Sequence, residues 1–172
     1  MAVHIALLRA VNVGGTGKLP MADLRAMCEQ LGFGDVRTYI QTGNVICTSP
    51  LAPAQVEARL EAALTARFGK PAQVLVRTLP ELEQAMVASP FVGEDGKRVL
   101  VVFLDNEPAR GVLDAVVVPG RERLSLQGRE LFIHYPDGMG RSKLKVPALG
   151  KATSRNLNTL RALVEMARGL AG

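Results

Sequence analysis

Val3-His4-Ile5-Ala6-Leu7-Leu8-Arg9-Ala10-Val11 runs into Asn12-Val13-Gly14-Gly15-Thr16-Gly17-Lys18, and this junction decides how the rest of the chain is read. The first nine residues form an apolar run of strand length, and its continuity predicts a central strand. Three glycines and a lysine then turn the chain. Pro20 suits a first helical position. Met21, Leu24, Met27, Cys28 and Leu31 follow at helical spacing, and Gly32 closes the helix.

Outward from there, Val36 to Ile40 predicts a second strand and Val45 to Thr48 a third, joined as a hairpin through Gln41-Thr42-Gly43-Asn44. Pro53 opens another helix, with Val56, Leu60, Leu64 and Phe68 one turn apart and Gly69 at its end. Ala72 to Arg77 predicts a fourth strand. The order is βαββαβ, which points to an α+β, ferredoxin-like lobe over residues 1–79. Residues 80–97 form a connecting helix and a turn-rich segment. Residues 98–172 are expected to form a second, related βαββα lobe. It comprises a strand from Arg98 to Leu104, a short helix from Pro108 to Val116 and a hairpin of Glu122 to Leu126 with Leu131 to Tyr135. The glycine-bearing basic loop Asp137 to Gly150 follows, then a final helix from Ser154 to Arg168, capped by Thr153 or Ser154.

With 172 residues, 48% apolar and 22% charged, the chain is expected to fold as a globular protein. Cys28 and Cys47 belong to no CxxC or Cys/His cluster and read as small buried hydrophobes in a reducing compartment. The N-terminus lacks the charged and apolar regions of a signal peptide, and no apolar run reaches the length of a membrane span. A cytoplasmic protein with no membrane partner is expected.

The net charge of +5 is local. Gly138 to Val164 contains no acidic residue but holds Arg141, Lys143, Lys145, Lys151, Arg155 and Arg161. With these six set aside, 15 of the 21 basic residues remain against 16 acidic ones. Such a patch suits an anionic partner, although a solvated loop is the commoner explanation of a charge run.

In a βαββαβ lobe the first strand–helix loop and the hairpin between strands two and three lie at one end of the sheet. Arg9 and the Asn12–Lys18 loop, with Gly14, Gly15 and Lys18, should therefore approach Gln41, Thr42 and Asn44. Cations, amides and a helix N-terminus would meet there with no Asp, Glu or His in either loop. That suits holding an anion more than moving a proton. The same glycines also serve a tight turn, and Asn44 is an ordinary turn residue. A second polar concentration, Lys151 to Thr159, places Arg155 with Asn158 and Thr159 on one face of the expected last helix. Lys151, Arg155 and Asn156 are candidate ligand-binding residues of an anion or partner surface there, shared with Lys143 and Lys145, and a soluble outer face is the other reading.

Sharper motifs fail on the letters. Walker A requires glycine where Asn12 stands and Ser or Thr where Leu19 stands. Gly15-Thr16-Gly17 lacks the last glycine of a dinucleotide fingerprint. The central strands carry no aromatic for base stacking, and no G-x-S-x-G elbow occurs. His4 and His134 stand alone at no ligand spacing. No metal and no cofactor are expected. No reaction follows from the letters, so whether the chain is an enzyme stays open. The possible partners are an anionic small molecule (a nucleotide or phosphorylated metabolite) or a nucleic-acid backbone. An acyl-phosphate or phosphoryl hydrolase, and an interaction module using the C-terminal basic patch, are the alternatives.

Three spaced stretches resemble the bacterial family known as the domain of unknown function (DUF) 1697. They are Leu8-Arg9-Ala10-Val11-Asn12-Val13-Gly14-Gly15 with Lys18 through Met21 to Leu24, Thr38-Tyr39-Ile40-Gln41-Thr42-Gly43-Asn44-Val45, and Ala152-Thr153-Ser154-Arg155-Asn156-Leu157-Asn158-Thr159. The resemblance spans nearly the whole chain and implies a ferredoxin-like N-terminal lobe and no established activity. It makes Arg9, Asn12, Lys18, Tyr39, Gln41, Asn44, Arg155 and Asn156 motif positions. This chain has Leu157 where the family pattern usually carries an aromatic, and Thr16 where it often carries Asn.

Overall fold

The computed structural model describes residues 1–9, 19–39 and 43–171. The described residues form two four-stranded antiparallel sheets and four α-helices. They divide into two compact units: Met1–Leu82 with Ala162–Gly172, and Glu83–Arg161.

In the first unit the order is β1 (Ala2–Leu8), α1 (Met21–Gln30), β2 (Gly34–Tyr39), β3 (Asn44–Ser49), α2 (Pro53–Phe68) and β4 (Val74–Thr78). The helix α3 (Leu79–Ala88) follows β4 and runs across the boundary between the units. The sheet order is β2-β3-β1-β4. Ala6 and Leu8 of β1, Val45 and Cys47 of β3 and Val74 and Val76 of β4 share a core cluster with Leu24 and Cys28 of α1 and Val56, Leu60 and Leu64 of α2. The alternate positions Ile5, Leu7, Ile46 and Leu75 are equally excluded from solvent. Both sheet faces are therefore covered, and this is why β1 reads as an unbroken apolar run. Burial pushes the Cys28 and Cys47 thiols up to about 12, so both stay protonated at neutral pH. Pro53 opens α2, with the Gln55 side chain accepting from the Ala52 N–H at 3.0 Å. The edge strand β4 has its Val76 N–H bonded to the Glu57 carboxylate of α2 at 3.1 Å, which blunts that edge.

The β2–β3 pairing shifts register between Gly34 and Arg37, and Asp35 there holds φ 47°, a left-handed value. A Cβ added at Gly34 would lie 2.7 Å from Oγ1 of Thr48, a buried side chain on β3 that also donates to the Asp35 carboxylate at 3.2 Å. A β-branched strand residue has little freedom to step aside. Gly34→Ala is expected to cost about 1–3 kcal/mol in urea unfolding, the usual penalty of overpacking. A variant as stable as the parent would show that the bulge can absorb the extra carbon.

In the second unit β5 (Val99–Leu104), β6 (Arg123–Gln127), β7 (Glu130–His134) and β8 (Ala152–Asn156) form a sheet of order β6-β7-β5-β8, and α4 (Leu157–Ala171) follows β8. Four expectations are corrected here. The stretch Pro108 to Val116 is a series of turns and no helix, because Gly111 takes φ 80° in its middle. The last helix begins at Leu157, three residues later than expected, because 152–156 pair with β5 instead. Its cap is Asn156, whose Oδ1 accepts from the Thr159 N–H at 2.8 Å, and not Thr153 or Ser154. Arg155 thus lies on a strand, and the helical face expected to join it with Asn158 and Thr159 does not exist.

The second sheet repeats the first in strand order and in register. Leu8 pairs with Val74 as Leu104 pairs with Ala152, and Leu7 pairs with Asn44 as Phe103 pairs with Glu130. Even the corner bonds recur: the Leu8 N–H bonds to Gly43 O and the Leu104 N–H to Arg129 O, and the Arg9 N–H bonds to Gln73 O as the Asp105 N–H bonds to Lys151 O.

Candidate functional site

The register fixes which residues meet at the C-terminal end of β1. Leu7 stands opposite Asn44, Asn44 opposite Tyr39, and Leu8 beside Val74. Arg9, Tyr39, Asn44 and Gln73 therefore gather at one end of the sheet, the end the strand directions predict. Arg9 is exposed. Its Nη1 donates to Oε1 of Gln73 at 3.0 Å, while its main-chain N–H holds Gln73 O at 3.0 Å. A neutral amide orients the guanidinium there without cancelling its charge.

Asn44 does different work. It is wholly buried, and its Nδ2 donates to the Tyr39 carbonyl at 2.9 Å. It closes the hairpin from inside. Tyr39 is partly buried beside it. Asn12, Gly14, Gly15, Lys18 and Gln41 lie outside the described residues.

The C-terminal candidates belong to the second unit. Arg155 is 8% exposed, and its Nη1 donates to Thr153 Oγ1 at 2.9 Å and to Ser154 O at 2.8 Å. Burial lowers its pKa to about 10. By register Arg155 is the counterpart of Arg77, which is 2% exposed on β4. Each sheet thus buries one arginine at the same place on its fourth strand, four residues from the corner described above. Asn156 is committed as the cap of α4, and the Lys151 carbonyl accepts from Asp105. Leu157, where the family pattern usually has an aromatic, is wholly buried and serves packing.

The two histidines have distinct surroundings. His4 is buried, with Nε2 3.4 Å from Ser49 O. His134 is also buried, and no spacing in the chain announces its partners. Nη2 of Arg123 approaches Nδ1 at 3.0 Å, and a Glu94 carboxylate oxygen lies 3.6 Å from Nε2. An arginine only donates, so Nδ1 is the acceptor and Nε2 carries the proton toward Glu94. Phe91 stacks on the imidazole at 5.6 Å and receives the Arg123 guanidinium on its ring. Among the described residues no group of three His, Cys, Asp or Glu side chains is placed to hold a metal ion. No described helix is long and apolar enough to cross a membrane.

Among the described residues, two four-stranded antiparallel sheets of matching register and four helices define a mixed α/β protein. The family model described as "Protein of unknown function (DUF1697)" matches residues 1–132, and the chain belongs to that family. Among solved structures it is similar to the conserved bacterial protein SP0830 from Streptococcus pneumoniae, with a TM-score of 0.81 at 24% identity over 96% of this chain and 98% of that one. No curated protein matches it.

Proposed function

We propose that this protein binds a small phosphorylated or otherwise anionic ligand at the corner of the first sheet where β1 leaves and β3 enters. The observation that carries this is Arg9, exposed and oriented by the neutral Gln73, with no carboxylate neutralising it among the described residues. The βαββαβ order and the β2-β3-β1-β4 arrangement support a ferredoxin-like reading of this unit. Asn12, Gly14, Gly15, Lys18 and Gln41 adjoin it in sequence and complete the proposed binding set, with Tyr39 beside them. A hydrolase has less support, because Asn44, the hairpin residue such a reading would need facing the ligand, is wholly buried and donates its Nδ2 to the Tyr39 carbonyl.

The test is a thermal-shift panel at low salt: nucleotides, phosphorylated metabolites, acyl phosphates, and short RNA and DNA, against the parent and the Arg9→Ala/Lys18→Ala variant. A ligand at about 100 times its Kd adds roughly 2.7 kcal/mol, a shift of a few degrees. A phosphorylated compound is expected to shift the parent and leave the variant unmoved. Equal shifts in both proteins would sink the proposal.

A further inference from the structure

The second unit holds an open cavity of about 450 Å³ whose lining differs in kind from the corner of the first sheet. Val112, Val116, Val117 and Pro147 supply aliphatic wall, and Lys143 and Lys145 supply the only charged groups. The segment that brings the lysines alternates: Leu144 and Val146 are partly buried, while Lys143, Lys145 and Pro147 are exposed. Lys143, Lys145 and Pro147, the exposed members of this alternation, all line the cavity. Neither lysine has a carboxylate partner among the described residues. Val117, on the facing segment, is 81% exposed, and Val118 beside it is 41% exposed. Solvent-facing valines beside unpaired cations are the reverse of an ordinary solvated surface.

A smaller cavity of about 200 Å³ adjoins this one through Lys143 and Pro119. It contains carboxylates, but they are already engaged. Asp137 pairs with Arg121, and Glu122 accepts from Ser142 Oγ at 2.8 Å and from the Gly120 N–H at 2.9 Å. The charge presented to an occupant of the larger cavity is therefore positive.

We propose that this cavity binds a medium-chain aliphatic carboxylate, its chain along the valine wall and its head group on Lys143 and Lys145. The lining chooses the class. It has no ring to stack a base or a sugar, and no amide or hydroxyl side chain to read a polar skeleton. Compact ammonium groups suit a compact anion, and an aliphatic wall suits an alkyl chain.

Titration calorimetry of the full chain with decanoate, below its micelle concentration, tests this. Saturable one-to-one binding is expected, with decanol and decyltrimethylammonium much weaker. Lys143→Ala/Lys145→Ala should bind roughly tenfold more weakly, the loss of two partly screened ion pairs. Val117→Asp, a change at a solvent-exposed position, should abolish binding while the melting temperature stays near the parent's. Arg9→Ala should bind decanoate as the parent does, which keeps this outcome separate from that of the first-sheet corner. Absence of saturable binding, decanol binding as tightly as decanoate, or unchanged affinity in the double lysine variant would each overturn the proposal. Loss of decanoate binding in Arg9→Ala would also overturn it, by placing the ligand elsewhere.

Discussion

Asn44→Asp is expected to cost about 3–5 kcal/mol at pH 8, the scale of an uncompensated buried charge, and much less near pH 4. The side chain is wholly buried with its amide N–H₂ donating to the Tyr39 carbonyl. A carboxylate places an acceptor against an acceptor and a charge where water cannot reach. Its protonated form can donate to Tyr39 O, so the folded state raises the pKa of the introduced carboxyl above the ordinary value near about 4. A group raised on folding contributes stability below its unfolded pKa, and that contribution is lost as pH rises through the folded value. The difference from the parent should therefore widen between pH 4 and pH 8. Asn44→Ala leaves the carbonyl unpaired without adding a charge, and should cost about 1–3 kcal/mol with little pH dependence. Urea unfolding of parent and both variants at the two pH values checks this. A flat pH response for the Asp variant would mean that the hairpin opens and lets water reach residue 44.

Arg155→Ala is expected to lose about 2–4 kcal/mol, because it empties a nearly buried site and strips hydrogen bonds from Thr153 Oγ1 and Ser154 O. Arg155→Met keeps most of the volume and removes the buried charge, and should fall within about 1.5 kcal/mol of the parent. Thermal or urea unfolding of the two variants side by side decides between bulk and charge. A Met variant as stable as the parent would mean that the fold does not need the guanidinium, leaving a ligand as the reason for a charge in that strand. A Met variant as unstable as the Ala one would assign Arg155 to the framework of β8.

The four strands and two helices within residues 1–79 were legible in the letters because each level agreed there. Helical stripes at Leu24 and Cys28 and at Val56, Leu60 and Leu64 sit between Pro20, Gly32, Pro53 and Gly69, each marking a helix end. β8 was not legible. Thr153-Ser154-Arg155-Asn156 has no apolar alternation, since the side chains buried from it are Thr153 and Arg155, and the strand exists because β5 needs a partner. One signal was available. Val74-Leu75-Val76-Arg77-Thr78-Leu79 and Ala152-Thr153-Ser154-Arg155-Asn156-Leu157 carry Arg and Leu at matching places: the two Arg hold the same position of the two sheets, and each Leu opens the helix that follows. At the site, strand directions alone placed Arg9 near Asn44, while Tyr39 entered only through the family resemblance. No spacing foretold Glu94, Arg123 and His134 as neighbours, because they come from segments up to 40 residues apart. The two sheet corners also diverge in charge, with Arg9 at one and Asp105 at its counterpart.

The first unit draws on both ends of the described chain, with residues from Ala162 onward completing what Met1–Leu82 begins. Leu163, Val164 and Ala167 from that late stretch are fully or almost fully buried. During synthesis the ribosome delivers β1 to β4 first, yet the unit they belong to stays unfinished while all of Glu83–Arg161 is made. The unit that begins second is the first to have all its residues available. A nascent chain stalled before residue 162 would thus present an incomplete N-terminal unit to chaperones and proteases, and its protection should arrive late and in one step.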